Sequence, residues 1–201
     1  NFRELSRRHG AYSLKVELLQ LLSGDGVLGR RHPGMTENDH VRFLTEVGFA
    51  LLDVGRLPES ADAFEAVASK AREIDNPELL CKSLINKALA LATMGLFDEA
   101  NYALSESGKN LARIQDAPDI YQKNKERLES RTAQIAYLQG RDTKAIKIYQ
   151  SLEKEAERPV ITRDRALTYI FALARRDHRA RGKKNPDDLY KAFALSLSNL
   201  A

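Results

Sequence analysis

Apolar residues recur at steps of three and four along most of the chain, interrupted every 15 to 25 residues or so by proline, glycine or a capping residue. The clearest stretch is Leu44 to Glu65, LTEVGFALLDVGRLPESADAFE. Leu44, Val47, Leu51 and Val54 form the stripe of one amphipathic helix, and Leu57, Ala61, Phe64 and Val67 form the facing stripe of a second. Gly55 stops the first helix. Pro58 falls in the first turn of the second, where a missing N–H does no harm. Gly48 and Ala50 keep the first helix slim enough for close approach. The pattern predicts a helix, a tight turn and an antiparallel helix. One such hairpin cannot bury both its faces, so it predicts neighbours of the same kind.

The neighbours follow. Leu79 to Leu104 (LLCKSLINKALALATMGLFDEANYAL) repeats the grammar, and Ser130 to Leu152 (SRTAQIAYLQGRDTKAIKIYQSL) is a weaker copy. Equivalent slots hold Leu44, Gly48, Leu51, Gly55, Ser60 and Phe64 in the first, and Leu84, Ala88, Leu91, Gly95, Ala100 and Leu104 in the second. In the third they hold Glu129, Ala133, Ala136, Gly140, Ala145 and Tyr149. This order of large, small and apolar residues, turn glycine, small residue and aromatic resembles the tetratricopeptide-repeat (TPR) family. The chain departs from the family's best-conforming repeats in having no Trp. Its turn glycines, 55, 95 and 140, are also 40 and 45 residues apart, where the short repeat takes about 34. In this it is similar to divergent, long-helix members such as kinesin light chains and bacterial signal-responsive regulators. The resemblance covers Thr36 to Leu152.

The resemblance implies an all-α, right-handed superhelical solenoid of antiparallel helix pairs. Residues 1–35 would be N-terminal helices in a degenerate hairpin with a loop, 36–158 three helix pairs, and 159–201 a C-terminal pair serving as a cap. In that family the first helices of successive repeats line a concave groove that binds a peptide or partner protein. Carried over by the turn glycines, the groove positions are Arg42, Thr45, Phe49 and Leu52, then Lys82, Ile85, Leu89 and Ala92, then Arg127, Ser130, Gln134 and Tyr137. Arg42, Lys82 and Arg127 fall on one edge of an apolar middle, which suits an acidic amphipathic ligand. Phe49 and Leu89 are equally suited to packing between helices. The carboxylate clamp of chaperone-binding repeats is not reproduced, because Asn86 falls one residue from its place.

Local signals set the other elements. Residues 2–9 end a helix, Tyr12 to Leu22 is a strongly apolar one, and Ser23 to Gly34 is a loop. Thr36 and Asp39 resemble a capping box, with Asp in place of Glu. Asn76-Pro77 opens a helix to Met94, Phe97 to Ile114 follows, and Asp116 to Pro118 restarts a helix to Gln139. Asp142 caps a helix to about Glu157, Thr162 caps Arg163 to about Ala180, and Asn185-Pro186 opens the last helix.

Composition narrows the classes. The 201 residues are 43% hydrophobic and 30% charged, which is ordinary for a helical globular protein. No run approaches the eighteen or so apolar residues of a membrane span. The chain opens Asn-Phe-Arg-Glu, without methionine or an apolar leader. We therefore expect a segment of a longer intracellular, cytoplasmic protein without membrane insertion. Cys81, the one cysteine, excludes an internal disulfide, and its apolar neighbours Leu80, Leu84 and Ile85 point to packing. The run Arg175 to Lys184 holds six Lys or Arg against one Asp, so the net charge of +4 is local to it.

Chemistry is sparse. Gly24 to Gly29 matches G-x-G-x-x-G, but no strand precedes it and Pro33 follows, so an inter-helix loop is the better reading. His9, His32, His40 and His178 are scattered, read as surface residues, and have no partner at ligand spacing. Glu153, Glu155 and Glu157 point to different faces of a helix. No nucleophile, base and orienting group come together, so we expect no catalytic residue, metal or cofactor and no enzymatic activity. The basic run (Arg175, Arg176, Arg179, Arg181, Lys183, Lys184) suits phosphates or an acidic partner, or simply a helix C-terminus. It lacks interleaved aromatics for base stacking. The reading that follows is a non-catalytic scaffold or adaptor module with a protein-binding groove. The alternatives are a regulatory or sensor segment of a larger signalling protein and, less favoured, a nucleic-acid binder through residues 175–184.

Overall fold

The computed structural model describes Glu17, Arg31, residues 33–155, Phe171, Ala172 and Arg175. Among these residues the structure is all-α, with no strand. The helices are α1 (Glu37–Asp53), α2 (Leu57–Glu73), α3 (Pro77–Thr93), α4 (Phe97–Leu111), α5 (Pro118–Leu138) and α6 (Asp142–Glu155), with a 3-10 turn at Ala112–Ile114. The chain divides into two compact units, residues 1–124 and 125–201, and the boundary falls within α5. The helix expected at Tyr12–Leu22 is described only at Glu17, which is helical and exposed. The glycine motif 24–29, His9, His32, His178, Arg176, Arg179, Arg181, Lys183, Lys184 and the last helix lie outside the described residues.

Helix ends follow local chemistry. The Thr36 hydroxyl accepts the Asp39 N–H at 3.1 Å and donates to the Asp39 carboxylate at 2.6 Å. Asp is too short to reach back to the cap's own N–H as Glu would, so it turns to the hydroxyl instead. Asn76 Oδ1 caps α3 by accepting the Leu79 N–H at 2.9 Å, with Pro77 as the first helical residue. The helix expected to reach Ile114 ends at Leu111 and tightens into the 3-10 turn. Asp142 is the first residue inside α6 rather than its cap.

The same paired closure recurs at four helix ends. Arg56 N–H donates to the Leu51 carbonyl and Gly55 N–H to that of Leu52, the bonds of a Schellman motif. Leu96 and Gly95 repeat it on Leu91 and Ala92, and Arg141 and Gly140 on Ala136 and Tyr137. Gly55, Gly95 and Gly140 have φ of 78°, 82° and 77°, the left-handed region that glycine enters without a Cβ clash. The fourth case joins α2 to α3 and has no glycine. Asp75 takes a φ of 48°, and Asn76 N–H reaches the Ala71 carbonyl at 2.8 Å.

In the first unit each helix packs on the next. Val47, Ala50 and Leu51 meet Ala63 across the first hairpin, with Phe43 and Val54 against them. Val41, Leu44 and Val67 receive Leu79 from α3, and Ala68 and Ala71 pack on Leu80 and Leu84. Between α1 and α2, the Ser60 hydroxyl donates to the Gly48 carbonyl at 2.8 Å. The ring of Phe64 lies against the bare Cα of Gly48 and meets Phe49 edge to face at 5.2 Å. Across the second hairpin, the Ser107 hydroxyl donates to the Cys81 carbonyl and lies 3.1 Å from the Cys81 sulfur. All the repeat slots of the first two copies apart from the turn glycines are buried, as are Ala133, Ala136, Ala145 and Tyr149 of the third. In the second unit, Ala136, Ala145, Ile146 and Ala172 form a cluster with Tyr137 packed against it.

Candidate protein-interaction surface

The line that remains open on the first unit's leading helices is short. On α1, Arg42 is exposed while Thr45, Phe49 and Leu52 are half-buried. The Thr45 hydroxyl is turned back onto the Val41 carbonyl at 2.8 Å, so its donor is spent within its own helix. Phe49 packs edge to face with Phe64 at 5.2 Å and is half-buried. On α3, Leu89 is half-buried. Ile85, expected in the groove, is 3% exposed and belongs to the core, as does Ala92. A helix between two packed neighbours buries a wider arc than a single stripe, and Ile85 falls inside that arc.

The expected row of cations is also thinner. Lys82 pairs with Glu78 one turn earlier on its own helix, which cancels most of its charge locally. Arg42 carries the positive charge on this face of the first unit. In the second unit Arg127 is exposed and Ser130 half-buried, with the Ser130 carbonyl accepting from the Tyr149 hydroxyl. Gln134 accepts from Arg131, and its side chain is half-buried. Tyr137, half-buried, packs against the second unit's apolar cluster, with the guanidinium of Arg175 over its ring.

Arg175 is the described member of the basic run, and it points inward. Its Nε donates to both oxygens of Asp142, at 2.8 and 2.9 Å, and its Nη2 donates to Asp142 and to the Tyr137 carbonyl. Its Cζ lies 4.1 Å from the centre of the Tyr137 ring. Asp142 is 5% exposed. The hydrogen bonds to Asp142 raise the guanidinium's pKa against the opposing effect of burial. Arg175 is therefore engaged inside the second unit, by Asp142 and Tyr137.

Sequence reading missed an ionic chain across three helices. Glu65 on α2 accepts from Lys87 on α3 at 2.6 Å and from Arg72 at 2.8 Å, and Arg72 reaches Glu106 on α4 at 2.9 Å. Burial pushes the Glu65 carboxyl up, but the bonds from Lys87 and Arg72 outweigh it and hold the pKa below the ordinary value. No local spacing signals such a chain, because its members are 22 and 34 residues apart. Near the start of α1, Lys70 bridges Glu37 and Glu73 at 2.9 and 3.0 Å.

His40, expected at the surface, is 9% exposed, and its Nδ1 has no hydrogen-bond partner. Its sequence neighbour Asp39 is exposed and occupied with Thr36, so the two form no acid–base pair. Among the described residues, no three His, Cys, Asp or Glu side chains gather as metal ligands, and no helix is long and apolar enough to cross a membrane. No family model matches the chain, and no curated protein or solved structure is detectably similar to it.

Proposed function

We propose that the chain is a non-catalytic protein-interaction module whose hairpins are units of a TPR-like right-handed solenoid. Its binding line is the open face of α1 and α3. The observation that carries this reading is the apolar set Phe49, Leu52 and Leu89, half-buried on the leading helices while their neighbours in the heptad-like stripe are buried. Helix hairpins that cover each other on one side leave leading-helix side chains as a continuous surface for an apolar segment. The occupant we infer is an amphipathic segment of a partner protein, with apolar anchors on Phe49, Leu52 and Leu89 and a carboxylate toward Arg42. The shared register of turn glycine, small residue and large residue supports the repeat assignment. A cytoplasmic scaffold, adaptor or regulatory segment is the setting such a surface serves.

Of the basic run behind the nucleic-acid reading, Arg175 is engaged by Asp142 and Tyr137, and its other members lie outside the described residues. The test is a photo-crosslinking residue at Leu52, with one at exposed Tyr102 as the control, in nuclease-treated lysate. Partners captured at 52 alone are then titrated against Arg42→Glu and Leu89→Lys. Loss of affinity of about tenfold or more in both, with unchanged melting temperature, is the expected result. Equal capture at both positions, or unchanged affinity, would move the site off this face.

A further inference from the structure

We propose that the turn end of the third hairpin is a guanidinium-binding niche, filled by Arg175 as an intramolecular ligand that straps the segment bearing Phe171, Ala172 and Arg175 onto α5 and α6. Three recognition elements converge there. The Asp142 carboxylate takes the fork of Nε and Nη2, the Tyr137 carbonyl takes a second bond from Nη2, and the Tyr137 ring lies under the plane. A planar, delocalised cation with several donors matches all three at once, whereas an ammonium matches one at a time. The Tyr137 carbonyl already accepts the Gly140 N–H at 2.9 Å, so the strap closes on the same turn that reverses the chain.

The niche has a reason to be filled. With Arg175 docked, the Asp142 side chain is 5% exposed, so the guanidinium both covers the carboxylate and neutralises it. The same docking seats Ala172, fully buried, against Ala136, Ala145 and Ile146. Unfastening the strap would therefore uncover an apolar surface and an anionic notch together. The start of the basic run is thus a structural ligand, in a unit of the chain separate from the α1–α3 face.

Hydrogen exchange on the full chain tests this. Arg175→Ala is expected to speed exchange of the amides at the start of α6 by about tenfold or more, the size of one lost charge-assisted contact. Arg175→Lys is expected to recover only a small part of the protection. Millimolar N-ethylguanidinium added to Arg175→Ala is expected to restore protection at α6, and ethylammonium is not. Full protection in Arg175→Lys, or no rescue by N-ethylguanidinium, would overturn the niche. Unchanged exchange in Arg175→Ala would overturn the strap. Should Arg175→Ala fail to fold, the difference between wild type and Arg175→Lys, which keeps the charge and loses the fork, decides the same question.

Discussion

A Cβ on Gly48 would stand 2.7 Å from Cε1 of Phe64, inside the contact distance that real side chains tolerate. The ring cannot swing away easily, since Phe64 is fully buried and packs edge to face with Phe49. In an exposed helix, glycine to alanine gains about 1 kcal/mol from backbone entropy. At this site overpacking costs about 1 to 3 kcal/mol and should win. Gly48→Ala is expected to lose about 1 kcal/mol in urea unfolding, and a gain would mean the α1–α2 crossing is looser than the ring contact implies. Phe64→Ala, which empties the same site, should lose about 3 to 5 kcal/mol.

Asp75 holds a glycine-like φ of 48° in the turn between the first two hairpins, and its carboxylate pairs with Arg113 at 2.6 Å. Both side chains of that pair are largely exposed, so the pair contributes little. The backbone conformation matters more. Asp75→Gly should hold or raise the melting temperature, while Asp75→Val, β-branched in the left-handed region, should lower it by several degrees. If the two variants melt alike, the turn relaxes to another conformation.

Glu65 links α2 to α3 and, through Arg72, to α4. Its pKa lies below the ordinary carboxylate value of 4.5, because hydrogen bonds from Lys87 and Arg72 outweigh the upward push of burial. The folded state therefore binds a proton at Glu65 less readily than the unfolded chain does. Its contribution is complete above the unfolded pKa and is lost as pH falls through the folded one. Glu65→Gln should lower stability most at neutral pH and flatten the acid side of the profile, so that the two proteins converge as pH falls below about 4.5. The measurement is urea midpoint against pH. An identical acid slope in both proteins would show the ionic chain to be idle.

Cys81 has no exposed surface and shares its sulfur environment with the Ser107 hydroxyl between α3 and α4. A thiol reagent should label it only when the second hairpin opens, at a rate that tracks denaturant concentration. Ser107→Ala should accelerate that labelling through the loss of one buried bond, by about tenfold at most. Labelling as fast as a free thiol in native buffer would contradict the packing.

The helices and their pairing were legible because the forces that set them are local. Periodic apolar residues, Pro58 and Pro77 in first turns, and the glycines at 55, 95 and 140 each act within a few residues of themselves. The repeat slots Leu44, Gly48, Leu51, Ser60 and Phe64, and their counterparts Leu84 to Leu104, reached the interior because a hairpin crossing demands small opposite large.

Other positions waited on tertiary structure. Ile85 and Leu89 lie on the same helix one turn apart, yet only the packing of α2 and α4 on α3 decided that Ile85 is core and Leu89 only half-buried. Asp75 took a glycine's place because the chain between α2 and α3 must turn there, whatever residue it carries. Arg175 read as one cation in a basic run. Its partner lies 33 residues away, and a charge's role depends on what the fold sets against it. Among the described residues, sequence alone determined that the segments are helical and roughly where each begins and ends. The fold decided which apolar residues stay outside and which charges are spent inside, since both depend on neighbours brought close only by the stacking of hairpins.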